Sequence, residues 1–419
     1  MNLRGLLYPI YSKRVLPIKM RRRNRKAINM IRQRRQATVL FIVSSLPMWR
    51  CQELYDLLTL DPRFSAYIAL IPFSSYSTSE REKGMNELNS YFRRQGSSFI
   101  DLSKTDNPAS YIRTKLNPDI IFYPQPYQDV YGKGLDFDNF LDKLICYTPY
   151  GIITLSEHWL YNILMNNTAW RLYFPNYTDL DCAQKIARNK GKNVRVIGST
   201  SANTFLHHSP ITDWKESKTP RKKIIWAPHF SIEQDGWLHR GSFLVLNQVM
   251  IELAEKYREQ IQFAFKPHPR LLTELYKHPD WGKEKADAYY QKWANMPNTQ
   301  LETGGYVDLF MTSDAMIHDC GSFTAEYHYT QNPVMFFTSD LDGVKKQLNE
   351  LGLAAIDAHY IGGTEADIVH FIEDVVIKGE DPLKPARKKV FDKYLLPPNG
   401  RSAAENIYHD LLISLGFEK

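Results

Sequence analysis

Short runs of apolar residues alternate with amphipathic segments along most of this sequence. The apolar runs are residues 38–43, 67–71, 98–102, 119–123, 144–147, 151–155 and 194–197 in the first half, and 224–227, 261–265, 299–301, 315–317, 334–337 and 354–356 in the second. The longer amphipathic segments are residues 49–60, 80–95, 242–257, 365–377 and 401–415. Apolar runs of this length predict buried strands, and strands that alternate with helices predict parallel sheets covered on both faces.

The length of the chain predicts two such domains, because 419 residues exceed what one hydrophobic core usually supports. Residues 201–221 are rich in Ser, Thr, His, Pro and Lys and predict a linker. The predicted domains are therefore residues 37–200 and 222–390, and residues 391–419 predict a helix that crosses back to the first domain. The fold class is α/β, with two Rossmann-like, doubly wound domains facing a cleft, an architecture called GT-B.

The net charge of +7 is unevenly distributed. Residues 1–35 contain twelve of the 53 Lys and Arg residues and no acidic residue. The rest of the sequence therefore contains 41 basic and 46 acidic residues. Apolar side chains mixed with clustered cations in residues 1–36 predict a segment that lies on an anionic membrane surface. This predicts a cytoplasmic protein on the inner face of the cell membrane. A disordered, solvated tail is the alternative.

Other functions of the basic segment are disfavoured. The acidic remainder offers no patch to support nucleic-acid binding. A single Ser residue, Ser12, is too few for a mitochondrial transit peptide, and the segment lacks the apolar core of a secretory signal. The sequence has no apolar run of 18 residues, so no transmembrane helix is predicted. The four Cys residues are far apart, which predicts neither a zinc site nor a disulfide framework.

Two polar loops in the second half carry the candidate chemistry. The first follows the apolar run 261–265, where Lys266 and His268 alternate with two prolines that exclude regular backbone hydrogen bonding. In the second loop, Gly321 and Ser322 follow the run 315–317 and precede a predicted helix. Ligands of open α/β sheets bind at the carboxyl ends of strands, and a helix N-terminus favours anions.

The two loops together predict a binding site for a nucleotide-diphosphate donor. Glu326, one turn into the predicted helix, is placed to accept hydrogen bonds from a ribose or another diol. Dinucleotide-binding and P-loop chemistries are disfavoured, because the sequence contains neither Gly-x-Gly-x-x-Gly nor Gly-Lys-Ser/Thr. No metal and no cofactor are predicted, and the GT-B architecture generally needs no metal.

The stretch from about residue 222 to 340 resembles the CDP-glycerol glycerophosphotransferase family of teichoic-acid and capsule synthesis. In that family one strand ends in Lys-x-His-Pro, as residues 266–269 do here. A second strand ends in Thr-Asp-Tyr-Ser-Ser, followed by an acidic-Tyr pair and an Asn/Lys-Pro segment. Asp319 falls on the family Asp, Gly321 and Ser322 fall on the two Ser positions, and Glu326 falls on the later acid. His229 stands where the family commonly has Thr or Ser.

The resemblance implies an inverting transfer from a CDP-linked donor to an acceptor hydroxyl. It implies that His268 is catalytic and that the donor is bound by His229, Lys266, Asp319, Gly321, Ser322 and Glu326. The family's proposed general base lies in a Trp-His-Gly motif of the N-terminal domain. Residues 146–151 keep the Gly of that motif but contain no His. His158 is the nearest imidazole and is our candidate base, with Asp129 and Glu157 as weaker candidates.

Three functions therefore stay open. The first is glycerol phosphate transfer to a polysaccharide or lipid-linked acceptor. The second is a sugar transfer from a UDP- or CMP-sugar in capsule or lipopolysaccharide synthesis, which the missing Trp-His-Gly motif favours. The third is a non-catalytic, membrane-bound scaffold, which the retention of His268, Asp319 and Ser322 disfavours.

Overall fold

The computed structural model describes residues 15–418 apart from 133, 208, 213, 218 and 233–240. Its strands are β1 (Ala37–Val43), β2 (Phe64–Leu70), β3 (Phe99–Asp101), β4 (Ile120–Tyr123), β5 (Leu144–Tyr147), β6 (Arg171–Phe174), β7 (Val194–Val196), β8 (Lys222–Ala227), β9 (Ile261–Phe265), β10 (Thr299–Leu301), β11 (Ala315–His318), β12 (Val334–Phe337) and β13 (Tyr360–Gly362). Its α-helices are α1 (Leu16–Arg34), α2 (Gln52–Leu60), α3 (Thr78–Arg94), α4 (Pro108–Tyr111), α5 (His158–Tyr161), α6 (Leu164–Thr168), α7 (Tyr177–Ile186), α8 (Ala202–His207), α9 (Phe243–Lys256), α10 (Leu271–Lys277), α11 (Gly282–Asn295), α12 (Val307–Met311), α13 (Phe323–Glu326), α14 (Leu341–Gln347), α15 (Glu350–Asp357), α16 (Glu365–His370), α17 (Lys384–Val390) and α18 (Ala403–Leu415).

The chain forms two compact units, the first of which is built from Met1–Gly151, Ser156–Ala202 and Leu396–Lys419. Its sheet has the order β3-β2-β1-β4-β5-β6-β7, with all strands parallel. Helix α18, from the end of the chain, packs its apolar face into the core of this unit. The side chain of Ser402 caps the helix by accepting from the N–H of Glu405, and Gly416 ends it in the left-handed conformation.

Helix α1 carries the basic sequence and belongs to the first unit. Leu16, Met20 and Ile31 lie on one face of the helix and are buried. The helix packs against α6 and α18, and Arg34 forms an ion pair with Asp119 at 2.6 Å. Residues 1–14 of the predicted membrane-binding segment lie outside the described residues. Within the described part of the chain, no helix has the length and apolar character needed to cross a membrane.

The second unit is built from Ile152–Leu155 and Asn203–Leu395. Its sheet is also entirely parallel and has the order β10-β9-β8-β11-β12-β13. Trp226 of the central strand β8 is buried and stacks on Phe265 of β9, with ring centroids 4.9 Å apart. The segment 201–221, predicted as a linker, contains α8, and from Asn203 onwards it belongs to this unit. The indole N–H of Trp214 in this segment donates to the Oγ1 of Thr312 at 3.1 Å.

Some predicted elements are corrected by the structure. Residues 354–356 are part of helix α15 rather than a strand, and the last strand of the sheet is β13. Residues 151–155 form no strand beyond an isolated bridge between Leu155 and Leu348. Strand β6 was not predicted, because its first residue is the charged Arg171.

Candidate functional site

The strand order of the second unit reverses between β8 and β11, which lie side by side. Ligands of open α/β sheets bind where such a reversal occurs, at the carboxyl ends of the strands. The strands β8, β9 and β11 end at the same level, since Ala227 pairs with His318 and Trp226 with Phe265. Seven of the predicted site residues follow these strands: His229 after β8, Lys266 and His268 after β9, and Asp319, Gly321, Ser322 and Glu326 after β11.

Asp319 is fully buried and joins the loop after β8 to the start of α9. Its Oδ1 accepts a hydrogen bond from the N–H of His229 at 2.5 Å. Its Oδ2 accepts from the N–H of Ser242 at 2.5 Å and from the Ser242 hydroxyl at 2.7 Å. Burial raises the pKa of Asp319 to about 6, although the hydrogen bonds from Ser242 and His229 act to lower it. Asp319 is therefore a carboxylate at neutral pH and fixes the position of the His229 backbone.

The rings of His229 and His268 form an edge-to-face contact, with centroids 5.2 Å apart. The Nδ1 of His268 accepts from the N–H of Arg270 at 3.1 Å, which assigns the proton of the neutral ring to Nε2. The pKa of His268 is lowered to about 4, first by burial and then by the positive charges of Arg270 and Lys266. At neutral pH, His268 is therefore an uncharged ring whose Nε2–H is a hydrogen-bond donor.

Phe230 and Arg270 extend this pair of imidazoles into an aromatic and basic cluster. The guanidinium carbon of Arg270 lies 4.0 Å from the ring centroid of Phe230, and that ring lies 4.6 Å from the ring of His268. Aromatic faces stack with nucleobases, and guanidinium groups bind phosphates. The cluster formed by residues 229, 230, 268 and 270 thus has the chemistry needed to bind a nucleotide.

Lys266 is buried and contacts the loop after β10. Its Nζ donates a hydrogen bond to the carbonyl oxygen of Gly304 at 2.7 Å. Burial lowers the pKa of the Lys266 ammonium, and the negative charge of Glu302 opposes this shift. The structure gives Lys266 a role in holding the loop, and its predicted contact with a donor stays a prediction.

The loop after β11 differs in detail from the predicted anion site. Ser322 is exposed and makes no side-chain capping bond, and the helix α13 that follows is only four residues long. A helix this short contributes little dipole. The carbonyl oxygen of Gly321 accepts from the Oγ1 of Thr154 at 3.2 Å. Glu326 is buried and accepts from the hydroxyl of Tyr306 at 2.7 Å, so its side chain is engaged within the protein.

Two buried, neutral histidines, His318 and His359, form a chain of hydrogen bonds that reaches the loop after β11. The Nδ1 of His359 lies 2.6 Å from the carbonyl oxygen of Ala355 and must donate to it. The Nε2 of His359 then accepts from the Nε2–H of His318 at 3.1 Å, and the Nδ1 of His318 accepts from the N–H of Cys320 at 3.1 Å. Burial lowers the pKa of both rings, to about 4 for His359. His318 therefore points into the core and positions Cys320.

His158, the candidate base, belongs to the first unit and is exposed at the start of α5. Its Nε2 lies 3.4 Å from the Nδ2 of Asn162. The structure therefore places it in a different unit from the seven other predicted site residues, and its role as a base stays a prediction. Within the described residues, no group of His, Cys, Asp and Glu side chains is arranged to hold a metal ion.

Sequence reasoning missed three residues that shape the site. Ser242 donates twice to Asp319, Arg270 contacts both Phe230 and His268, and Thr154 donates to Gly321. Arg270 was detectable, since it directly follows the Lys-x-His-Pro motif. The roles of Ser242 and Thr154 depend on contacts across 77 and 167 residues, which no local pattern reveals.

Comparisons with known proteins identify the fold. No protein-family model matches the sequence, and no curated protein matches it. Among solved structures, the S. aureus MnaA–UDP co-structure is similar with a TM-score of 0.59 and 14% identity, over 91% of this chain and 98% of that chain. A putative UDP-N-acetylglucosamine 2-epimerase from Listeria monocytogenes is similar with a TM-score of 0.60 and 15% identity, over 92% and 98%. The wall teichoic acid polymerase TagF is similar with a TM-score of 0.56 and 11% identity, over 99% and 98%.

The sheet topologies and these similarities show that the chain has the GT-B fold, with two Rossmann-like α/β units. The predicted α/β class with two Rossmann-like domains is confirmed. Because the identities are 11–15%, the similarities show the fold alone.

Proposed function

We propose that the chain is a transferase that moves glycerol phosphate, or a related group, from a CDP-linked donor to a hydroxyl of a cell-surface polysaccharide or lipid-linked acceptor. The observation that carries the proposal is the cluster of residues 229, 230, 268 and 270 at the strand-order reversal of the second unit. The sequence resemblance to glycerophosphotransferases and the similarity in fold to the wall teichoic acid polymerase TagF support this choice.

In the proposed reaction, an acceptor oxygen attacks the β-phosphorus of CDP-glycerol. A new P–O bond forms, the bond between the β-phosphorus and the bridging oxygen breaks, and CMP leaves with the electron pair. The proton of the acceptor hydroxyl passes to a base, for which His158 is the candidate. Negative charge builds up on the leaving phosphate, and the Nε2–H of His268 is a preorganised donor that would stabilise it.

A sugar transferase is the second candidate function. In that reaction the acceptor oxygen attacks an anomeric carbon, and the nucleotide phosphate leaves. The missing Trp-His-Gly motif favours this candidate, and so does the similarity in fold to UDP-N-acetylglucosamine 2-epimerases. A non-catalytic scaffold is the third candidate, for which nucleotide binding is not required.

Thermal unfolding in the presence of nucleotides separates these candidates. A ligand that binds only the folded protein raises the melting temperature, and the stabilisation reaches about 2.7 kcal/mol at a concentration one hundred times its Kd. We expect CDP-glycerol to raise the melting temperature more than CMP or CDP, and UDP and UDP-N-acetylglucosamine to raise it little. The Arg270→Gln variant tests the cluster itself, because the shift in melting temperature caused by CDP-glycerol should be smaller in this variant.

A larger shift in melting temperature with uridine nucleotides would contradict the glycerophosphotransferase proposal and favour an enzyme that uses a nucleotide sugar. If no nucleotide, including CMP-sialic acid, changes the melting temperature, the transferase proposal fails and the scaffold becomes the function to test.

We also propose that helix α1 attaches the protein to an anionic membrane surface. The cations of residues 19–26 are exposed, whereas Leu16, Met20 and Ile31 are buried against the first unit. The apolar side chain of Ile18 is also exposed, at 51%. A fixed helix that presents cations beside an exposed apolar side chain suits a surface of anionic lipids better than a nucleic acid.

Sedimentation with lipid vesicles tests this attachment. Each cation near an anionic surface contributes about 1 kcal/mol, so replacing Arg21, Arg22 and Arg23 by Gln should weaken binding to phosphatidylglycerol vesicles about 100-fold. The control replaces the exposed Lys283, Lys285 and Lys292 of α11 by Gln and changes the net charge equally. Equal losses in both variants, or equal binding to neutral phosphatidylcholine vesicles, would contradict the assignment to α1.

A further inference from the structure

The first unit contains a cavity that none of the predicted site residues lines. Its volume is about 930 Å³, and it lies at the carboxyl ends of β2 and β3. One wall is a face of helix α3, and the other walls are the loops after β2 and β3 together with Tyr131, Gly132 and Leu135. Because carboxyl ends of parallel strands are where α/β sheets bind ligands, this cavity is a candidate second site.

The lining of the cavity contains cationic and polar side chains beside apolar ones. Arg81, Arg93 and Lys104 line the cavity, together with the carboxylates of Glu82 and Asp101. The oxygens of Asp101 already accept hydrogen bonds from the N–H of Ser103 and from the Nδ2 of Asn89, both at 2.9 Å. The lining thus carries three cations and two carboxylates, and the oxygens of Asp101 are held by neutral donors.

Arg81 carries a donor that lacks an acceptor. One terminal nitrogen of its guanidinium donates to the carbonyl oxygen of Ser74. Its Nε is shielded from solvent and has no hydrogen-bond partner among the described residues. The hydrogen bond to Ser74 fixes the guanidinium of Arg81 at the wall of the cavity, where its positive charge can attract an anion.

The rest of the lining fits a ligand rich in hydroxyl groups. Asn86 and Ser90 of α3 line the cavity and are exposed. The rings of Phe73 and Tyr131 also line it and stack with centroids 6.0 Å apart. Amide and hydroxyl groups bind hydroxyls, whereas the two rings are buried against each other and close the wall of the cavity.

We propose that this cavity binds a hydroxyl-rich chain that carries phosphate or carboxylate groups, with Arg81 and Arg93 as its anion-binding residues. This is a second site, in the unit that does not contain the nucleotide-binding cluster. Calling the ligand the acceptor rests on the proposed function, whereas the binding itself does not.

Isothermal titration calorimetry on the full chain tests the site with three probes. These are a trimer of glycerol phosphate, a trimer of galacturonic acid and the neutral maltotriose. We expect at least one anionic probe to bind, more weakly at higher salt, and maltotriose to bind at least tenfold more weakly. The Arg93→Gln variant should weaken anionic binding about tenfold, because it loses a charge-assisted hydrogen bond. The matched control is Arg94→Gln on the same helix, whose side chain does not line the cavity and which should change binding less than twofold.

The two anionic probes distinguish a polyol phosphate from an acidic saccharide. Equal effects of Arg93→Gln and Arg94→Gln, equal binding of maltotriose, or no binding of either anionic probe would overturn the proposal. The same variants are also tested for the thermal shift caused by nucleotides, which should be unchanged. If a trimer binds but no nucleotide does, this site stands and the proposed function fails.

Discussion

Replacing Asp319 with alanine is expected to lower the free energy of unfolding of the second unit by about 3–5 kcal/mol. The change leaves three donors without their acceptor: the N–H of His229, the N–H of Ser242 and the hydroxyl of Ser242. Each buried donor left unsatisfied costs about 1–3 kcal/mol, and the total is limited by water that enters the space. Urea unfolding followed by tryptophan fluorescence measures the loss.

Two further variants separate the carboxylate from its individual bonds. Ser242→Ala removes only the hydroxyl donor and is expected to cost about 1 kcal/mol. Asp342→Ala, at an exposed position of α14, is the control and should change stability by less than about 0.5 kcal/mol. An Asp319→Ala variant as stable as Asp342→Ala would show that the buried carboxylate does not hold the loop after β8 in place.

The sequence predicts most strands of both sheets because their apolar runs are short and end at prolines or polar residues. Residues 261–265 illustrate this, since the predicted strand coincides with β9 (Ile261–Phe265). The failures have physical causes. Ala354, Ala355 and Ile356 are apolar, but alanine favours helices, and one face of α15 buries Leu351, Ala355 and Ile356. The true edge strand β13 exposes Ile361 and lacks a buried pattern.

Strand β6 is difficult to predict because it begins with a charged residue whose ion-pair partner lies far away in the sequence. Arg171 begins this strand, and its Nε donates to Asp410 of α18 at 2.9 Å. Those two residues are 239 positions apart, so no window of sequence relates them. The strand could be recognised only with knowledge that the final helix packs on the first unit.

The candidate site was predictable to the level of loops, but not to the level of individual contacts. The positions of Lys266, His268 and Asp319 at strand ends follow from local sequence. The use of each side chain does not, because Lys266 donates to Gly304, and Glu326 accepts from Tyr306. Both side chains bond to other residues of the protein. Among the predicted site residues, the imidazoles of His229 and His268 therefore fit the predicted donor-binding role best.

His268→Ala is expected to lower kcat about 100- to 1000-fold with the donor that the nucleotide panel selects, while KM for that donor changes little. The reason is that a preorganised donor to the leaving phosphate acts mainly in the transition state, where removing one such donor typically costs two to three orders of magnitude. The ring contacts the half-buried His229 and Phe230 at its edge, so the melting temperature should change by only a few degrees. The control is His278→Ala, which removes another imidazole from the same unit.

The pH dependence of the wild-type protein sharpens this prediction. Since the pKa of His268 is lowered to about 4, the ring stays neutral through the range from pH 5 to pH 8, and kcat should show no titration of this residue there.

The lowered pKa also means that the unfolded chain, whose His titrates near pH 6.5, binds a proton that the folded protein does not. His268 therefore contributes stability that is present above about pH 6.5 and is lost as the pH falls through about 4. A His268→Ala variant should show a weaker loss of stability between pH 6.5 and pH 4 than the wild type. A variant that keeps wild-type kcat would remove His268 from the catalytic assignment, and an unchanged slope of stability with pH would show that the ring is not held neutral.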